Sequence, residues 1–127
     1  MTEIRIIAIA ADVFFPVPSS TLFEGATGKA LDTVNYEFPR GTVSKSTWGD
    51  DYGNRCDRFL GAVVYLDGVH PSAVSVRGYY TRMTAVAYDV VNKKLVKRWG
   101  FDTGNNANAA GYGDGNHNCM PADVDND

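Results

Sequence analysis

The chain lacks three features that would each assign it to a familiar class of protein. It has no run approaching the ~18 consecutive apolar residues of a membrane-spanning helix. It has no basic excess, since 12 Lys and Arg stand against 15 Asp and Glu. Its two cysteines, Cys56 and Cys119, are too few for a disulfide framework and lack a metal-ligand spacing such as CxxC. We therefore expect no membrane span and no nucleic-acid partner, and either two free thiols or one mutual disulfide.

The residues that are present favour β structure. A length of 127 residues suits one small domain. The 13 glycines, together with many Asn and Asp residues, indicate numerous tight turns. Near the N-terminus, residues 4–10 are predicted to form a strand, and the acidic Glu3 and the lack of a basic stretch make this segment a poor signal peptide.

An internal repeat organises the chain. Residues 22–36 align without gaps with residues 87–101, an offset of 65 residues. Both segments read as an apolar strand, an acidic residue before a turn, a basic residue after it and an alternating strand, which predicts a β-hairpin. The polar segments that follow, 49–56 and 113–119, also correspond. The repeat period is therefore close to 65 residues.

Strand-like segments occupy roughly residues 58–66, 73–79, 83–90 and 94–101. Four short antiparallel strands per repeat, followed by a long polar loop, are typical of a β-propeller blade, although a β-sandwich with two similar hairpins would give the same repeat. In a propeller, the loops at 40–57 and 102–118 would be neighbours on one face. Because a partial propeller leaves unpaired strand edges, we expect the chain to associate with copies of itself through those edges.

Several motifs occur in an order that resembles one family. They are GATGK (25–29), PRGTV (39–43), WGDDYGNR (48–55), DRF (57–59), YLDG (65–68), RGYYTR (77–82), GNH (115–117) and ADVD (122–125). Together they resemble a bacterial rhamnogalacturonan lyase of polysaccharide lyase family 11 over residues 22–127, whereas residues 1–21 match poorly.

The resemblance implies an all-β fold, about one and a half to two blades of an eight-bladed β-propeller with four-stranded antiparallel blades. It also implies that the parent protein is a secreted, calcium-binding enzyme, which cleaves the rhamnogalacturonan I backbone of pectin by β-elimination at galacturonate. We expect the chain alone to be inactive or nearly so. Two alternatives stay open: a calcium-stabilised module that binds pectic sugar without cleaving it, and a chain that only self-associates.

Arginine and tyrosine side chains between residues 48 and 82 are the candidates for binding and chemistry, because guanidinium groups can hold a uronate carboxylate through paired hydrogen bonds. The catalytic candidates are Arg77 and Tyr80. The substrate-binding candidates are Asp51, Asn54, Arg55, Arg58, Tyr79 and Arg82. Each arginine could instead pair with a nearby aspartate, and the Asp and Asn residues could instead cap turns. The two tryptophans, Trp48 and Trp99, are expected in the core.

Calcium ligands are expected at the C-terminal end and in the two polar loops. Asp123, Asp125 and Asp127 alternate like the opening half of an oxygen-ligand calcium loop, the alternative being a solvated acidic terminus. The resemblance adds Asn116 and His117 as calcium or substrate contacts, and Asp50 could bind a second cation. A histidine in a loop rich in Gly and Asn is otherwise simply exposed.

Overall fold

Two antiparallel β-sheets make up the computed structural model, which describes residues 4–7, by backbone alone, and residues 18–123. The first sheet has the order β1-β2-β3, with β1 at Ile4–Ile7, β2 at Ser19–Glu24 and β3 at Ala30–Asn35. The second has the order β4-β5-β6-β7, with β4 at Phe59–Val64, β5 at Ser72–Arg77, β6 at Thr84–Val91 and β7 at Lys94–Asp102. The all-β antiparallel prediction is confirmed, and each of the four strands of the second sheet lies close to its predicted position.

Two four-residue helices, α1 (Lys45–Trp48) and α2 (Gly53–Cys56), connect the sheets. The Ser44 side chain accepts a hydrogen bond from the Thr47 N–H and the Thr47 side chain accepts one from the Ser44 N–H, so a capping box starts α1. Gly49 ends it at φ +75°, a left-handed conformation that favours glycine. Neither helix is long enough to cross a membrane, and the described residues contain no other. Of the strand predicted at residues 4–10, β1 covers 4–7, and residues 8–10 lie outside the described part.

The β-bulges confirm the internal repeat. One bulge falls between Leu22 and Phe23 in the β2-β3 hairpin, and the other falls between Ala87 and Tyr88 in the β6-β7 hairpin, 65 residues further on. A bulge inserts one unpaired residue and bends the strand locally, so its recurrence at the same place in the repeat gives the two hairpins the same bend.

The gapless alignment is wrong for the second strand of each hairpin. Phe23 pairs with Ala30, whereas Tyr88 pairs with Lys97, so the second hairpin is two residues longer beyond the bulge. The physical reason is the turn: β6 and β7 continue to a tight two-residue turn at 92–93, where both residues have positive φ, while the first hairpin ends earlier in a wider turn.

The core lies between the two sheets. It is formed by five buried residues, Leu22, Tyr36, Val86, Tyr88 and Leu95. Partly buried apolar side chains surround them, namely Leu31, Val34, Phe38, Phe59 and Val90. Burial of this apolar surface drives the sheets together.

The opposite face of the β4-β7 sheet is apolar as well. Strand register aligns two rows across the four strands, Leu60, Val76, Ala85 and Phe101 in one and Ala62, Val74, Ala87 and Trp99 in the other. We call these two rows the outer apolar face. Trp99 and Phe101 each remain 38% exposed, so the core prediction is correct for the buried Trp48 and wrong for Trp99. Ala87 is the repeat equivalent of Leu22, which packs in the core.

Candidate functional site

The two polar loops that lead out of the sheets lie side by side, as predicted. The Asn105 side chain donates hydrogen bonds to the backbone carbonyls of Lys45 (2.8 Å) and Ser46 (3.0 Å). The Gly113 N–H donates to the Thr81 carbonyl at 2.8 Å. The segment after β5 therefore lies between the loop of α1 and α2 and the loop that follows β7.

Because Gly115 has no side chain, the loop that follows β7 can lie directly against the segment after β5. A Cβ atom at this position would lie 2.6 Å from Tyr79 Cα, closer than real Cβ contacts allow. The close approach brings this loop against Tyr79, and the His117 ring centroid lies 5.0 Å from that of Tyr79.

An exposed group of rings and guanidinium groups results, which we call the tyrosine–arginine cluster. Its members are Tyr52, Asn54, Arg55, Arg58, Tyr79, Tyr80 and His117. The Arg55 guanidinium lies 5.6 Å from the Tyr52 ring and 5.3 Å from the Tyr80 ring. Arg58 lies 5.4 Å from the Tyr79 ring. Such cation–π contacts hold the positive charges against the rings.

The two adjacent tyrosines differ in exposure. Tyr79 is 5% exposed and Tyr80 is 53% exposed, so Tyr79 packs and Tyr80 is accessible. Both follow the end of β5, so they are not alternating strand residues; instead Tyr80 turns outward at φ +69°. Its hydroxyl lies 3.4 Å from His117 Nε2.

Arg58 differs from the other arginines whose side chains are described. Those others each have an aspartate within ion-pairing distance, namely Arg40, Arg55, Arg77, Arg82 and Arg98. Arg58 donates instead to the neutral Asn54 side chain, at 3.2 Å. A guanidinium paired only with an amide keeps N–H groups for an incoming carboxylate.

Arg55 is held by Asp50. One Asp50 oxygen accepts from the Tyr52 N–H (2.9 Å) and the other from Arg55 Nη1 (3.0 Å). The pKa of Asp50 is lowered by the Tyr52 hydrogen bond and then by Arg55. Because both carboxylate oxygens are engaged, the geometry argues for an arginine-holding role at Asp50 over the predicted metal-binding one.

Arg77 is fully buried, which argues against its predicted catalytic role. Its guanidinium donates to the carbonyls of Cys56 (2.9 Å) and Phe38 (3.0 Å) and to Asp57 Oδ1 (2.8 Å). It also lies 4.2 Å from the Trp48 ring. Burial lowers the pKa of this guanidinium, and Asp57 opposes the effect. A substrate has no access to it in this arrangement.

Arg82 is likewise engaged within the fold. It binds Asp102 through Nε (2.9 Å) and Nη2 (2.6 Å), the two-bond geometry that arginine forms with carboxylates. Its third donor bonds the Thr47 carbonyl at 3.2 Å. The predicted substrate contact at Arg82 would require breaking this pair.

Asp51, by contrast, is exposed, and one of its carboxylate oxygens lies 3.7 Å from Lys45 Nζ.

Calcium binding stays a prediction for this chain. Among the described residues, no three His, Cys, Asp or Glu side chains lie close enough together to hold a metal ion, but calcium also takes backbone carbonyl and amide oxygens as ligands. Asn116 and His117 are exposed beside the tyrosines, and calcium prefers oxygen ligands over imidazole. Asp123 is exposed and makes a contact within the protein. Asp125 and Asp127 lie outside the described residues.

The cysteines are free thiols, so the disulfide alternative is wrong. Cys56 is buried, which raises its pKa, and its sulfur lies 3.5 Å from the Asp50 carbonyl. Tyr52, which directly precedes α2, is a cluster member that was not predicted. Because the sequence patterns did not predict α2, nothing placed this ring, three positions before Arg55, next to that arginine.

The fold and the cluster describe a β-sheet protein with exposed arginine and tyrosine side chains, suited to an anionic ligand. The family model of rhamnogalacturonan lyase family 11, C-terminal domain, matches residues 17–127. The chain therefore belongs to this family.

Two curated relatives from Bacillus subtilis (strain 168) match over 107 residues. Rhamnogalacturonan exolyase YesX is 55% identical and rhamnogalacturonan endolyase YesW 51%, with 84% of this chain covered in both cases. The chain spans 17% of the length of each relative.

Solved structures of rhamnogalacturonan lyases are also similar to this chain. The exotype rhamnogalacturonan lyase YesX superposes with a TM-score of 0.78 at 51% identity, covering 91% of this chain and 19% of that one. A Bacillus licheniformis rhamnogalacturonan lyase of family PL11 gives 0.78 at 49% identity, with the same coverage.

We predict that the hold of Asp50 on Arg55 weakens in acid. Since the folded-state pKa of Asp50 is depressed, its contribution to stability is present above the unfolded pKa and is lost as the pH falls through the folded value. A carboxyl-carbon NMR titration should place the Asp50 midpoint below 3.8. The Asp50→Asn variant is the control, because it should lack this acid-dependent loss. A midpoint at or above 3.8 would contradict the geometry.

Proposed function

We propose that this chain is part of a secreted polysaccharide lyase, which cleaves the rhamnogalacturonan I backbone of pectin by β-elimination at galacturonate. Family membership and the names of the relatives support the reaction class and the substrate. The chain spans a small part of those proteins, so the activity belongs to the longer enzyme. We propose that the chain alone holds sugar with little or no turnover.

The observation that carries the proposal is Arg58, a guanidinium that bonds a neutral amide and no carboxylate among the described residues and lies against the buried Tyr79 ring. Galacturonate offers a planar carboxylate that such a group can bind with two parallel hydrogen bonds. The rings of Tyr52 and Tyr80, both more than half exposed, offer apolar faces for the sugar. Charge and apolar surface thus occur together, as an acidic polysaccharide requires.

In β-elimination, the C5 proton of galacturonate passes to a base and a C4=C5 double bond forms as the C4–O4 bond breaks. The electron pair of that bond goes to O4, which takes up a proton as the rest of the polysaccharide leaves. A guanidinium on the carboxylate disperses charge that develops next to C5, which favours loss of the proton. We propose Arg58 for this electrostatic role. Tyr80 is the catalytic candidate that remains accessible, and His117 Nε2 lies close enough to exchange a proton with its hydroxyl.

We also propose that the β4-β7 sheet is one blade of an eight-bladed propeller and that the β1-β3 sheet belongs to the preceding blade. The repeated bulge supports the equivalence of the two sheets. The outer apolar face supports it as well. Its residue Ala87 corresponds by the repeat to Leu22, and Leu22 packs in the core between the two sheets.

Replacing Arg58 should remove most of the affinity for the substrate. Charged hydrogen bonds contribute about 1.5–3 kcal/mol each, so Arg58→Gln should weaken binding of a rhamnogalacturonan oligosaccharide by more than about tenfold. Arg58→Lys keeps the charge and should restore only part of the affinity, because an ammonium cannot form the paired bonds. Isothermal titration calorimetry measures both.

Arg98→Gln is the matched control. Arg98 is also an arginine at the protein surface, but it pairs with Asp89 on the second sheet, outside the cluster. Its replacement should leave oligosaccharide binding unchanged. Equal affinity in the Arg58→Gln variant and the wild type would contradict the proposed role of Arg58.

We propose calcium binding at the acidic C-terminal segment that contains Asp123, Asp125 and Asp127, with the side-chain amide of Asn116 as a further oxygen donor. Titration of calcium into the chelator-treated chain should give saturable heat, which Asp123→Asn should reduce. No heat in the wild type would contradict the proposal for this chain.

A second candidate is self-association, which the outer apolar face favours. We propose that a second copy of the chain covers it, together with the edge of β4, the strand at one end of the second sheet. Four strands at ~4.8 Å spacing and about 20 Å long offer roughly 300 Å², well below the ~800 Å² per partner of a stable interface. The expected dimer is therefore weak.

Sedimentation velocity over a concentration series should show a monomer that converts to a dimer as the concentration rises. Trp99→Glu places a charge in the face and should abolish the dimer. A monomer at every concentration would count against self-association, and so would a dimer that Trp99→Glu leaves intact.

A further inference from the structure

We infer that Arg77 is a positioning residue, which fixes the two halves of the tyrosine–arginine cluster relative to each other without touching substrate. The inference rests on the proposed function, since it concerns the same site. It assigns a role to the most deeply buried charge among the described residues, which is 0% exposed.

The backbone at Arg77 leads into one half of the cluster. Arg77 is the last residue of β5, and Gly78, Tyr79 and Tyr80 follow it directly. Gly78 has φ +83°, and a Cβ there would collide with the Arg82 carbonyl, so the chain can turn this tightly only with glycine. The position of Arg77 therefore fixes the backbone that leads into Tyr79 and Tyr80.

The side chain of Arg77 holds the other half. Its Nε donates to the Cys56 carbonyl and its Nη2 to Asp57 Oδ1, the two residues that directly precede Arg58. The halves then meet through the backbone, because the Gly78 N–H donates to the Arg58 carbonyl at 3.1 Å. Arg77 therefore contacts both halves of the cluster where they meet, next to Arg58, the described arginine that has no aspartate partner.

A guanidinium is needed for this role, and a positive charge alone is insufficient. The planar guanidinium of Arg77 donates three hydrogen bonds from its edge, to Cys56, Asp57 and Phe38. Its flat face lies against the Trp48 ring. A lysine ammonium at the same place could reach one or two of these acceptors and would leave the rest buried without a donor.

The test compares Arg77→Ala and Arg77→Lys with the wild type, by two readouts. One is calorimetric binding of a rhamnogalacturonan oligosaccharide; the other is hydrogen exchange of the Gly78 amide by NMR. In both variants we expect binding to weaken by at least about tenfold, as loss of alignment commonly does, and Gly78 exchange to accelerate. Free guanidinium ion at millimolar concentration should restore both readouts in Arg77→Ala, and methylammonium should not.

Arg98→Ala is the control and should change neither readout. If Arg77→Ala fails to fold, Asp57→Asn replaces it, because it keeps the side-chain shape and removes the charge that Arg77 binds. The same weakening and faster exchange are expected there. Unchanged Gly78 exchange and unchanged binding in the folded variant would overturn the inference.

The two proposals can fail separately. If the wild-type chain binds no oligosaccharide, the proposed sugar-holding function fails for this chain. The Gly78 exchange readout and its restoration by guanidinium still decide whether Arg77 positions the cluster.

Discussion

The arrangement of the site depends on one buried charge, the guanidinium of Arg77. Removing a cation from water costs several kcal/mol unless partners replace the lost solvation. Here Asp57, two backbone carbonyls and the Trp48 ring replace it. Those partners all lie in the connection between β3 and β4, so satisfying the charge and docking this connection against β5 are the same event. The sheets provide the scaffold, and the charge specifies how this connection lies on it.

The arginine side chains that the structure describes divide into buried or paired groups and one available group. Arg82 repeats the pattern of Arg77 on a smaller scale, since it binds Asp102 and also lies 4.6 Å from the Trp48 ring. Arg55 is held by Asp50 between two tyrosines. Only Arg58, among the arginine side chains described, is left with a neutral partner. The paired guanidinium groups build the site, and the remaining one is free to recognise an anion.

Much of the fold could be predicted from the sequence because its signals are local. Alternation and turn residues located β4 to β7, and the 65-residue offset located the equivalent hairpins. The two-residue difference between the hairpins could not be seen, since bulge and turn geometry depend on pairing. Trp99 was assigned to the core on its hydrophobicity, but it lies on the outer apolar face, where burial depends on what packs against the sheet.

The sequence indicates the residue types of the site, while the roles assigned to them stay predictions. The stretch from 48 to 82 holds every cluster member except His117, and the arginines are its main feature. Which arginine is buried and which is available depends on contacts between segments 20 or more residues apart, such as Arg77 with Asp57 or Arg82 with Asp102. Composition carries no information on such pairings. His117 could be placed only by the glycine contact that brings its loop against Tyr79.

The central claim is that the tyrosine–arginine cluster holds an acidic sugar. The most direct measurement is NMR of the isotope-labelled chain with an unlabelled rhamnogalacturonan oligosaccharide, recording intermolecular contacts and side-chain shifts. The account predicts contacts from sugar protons to the rings of Tyr52 and Tyr80 and a shift of the Arg58 guanidinium resonance. Saturable binding whose contacts map to the outer apolar face, with Arg58 unperturbed, would contradict it.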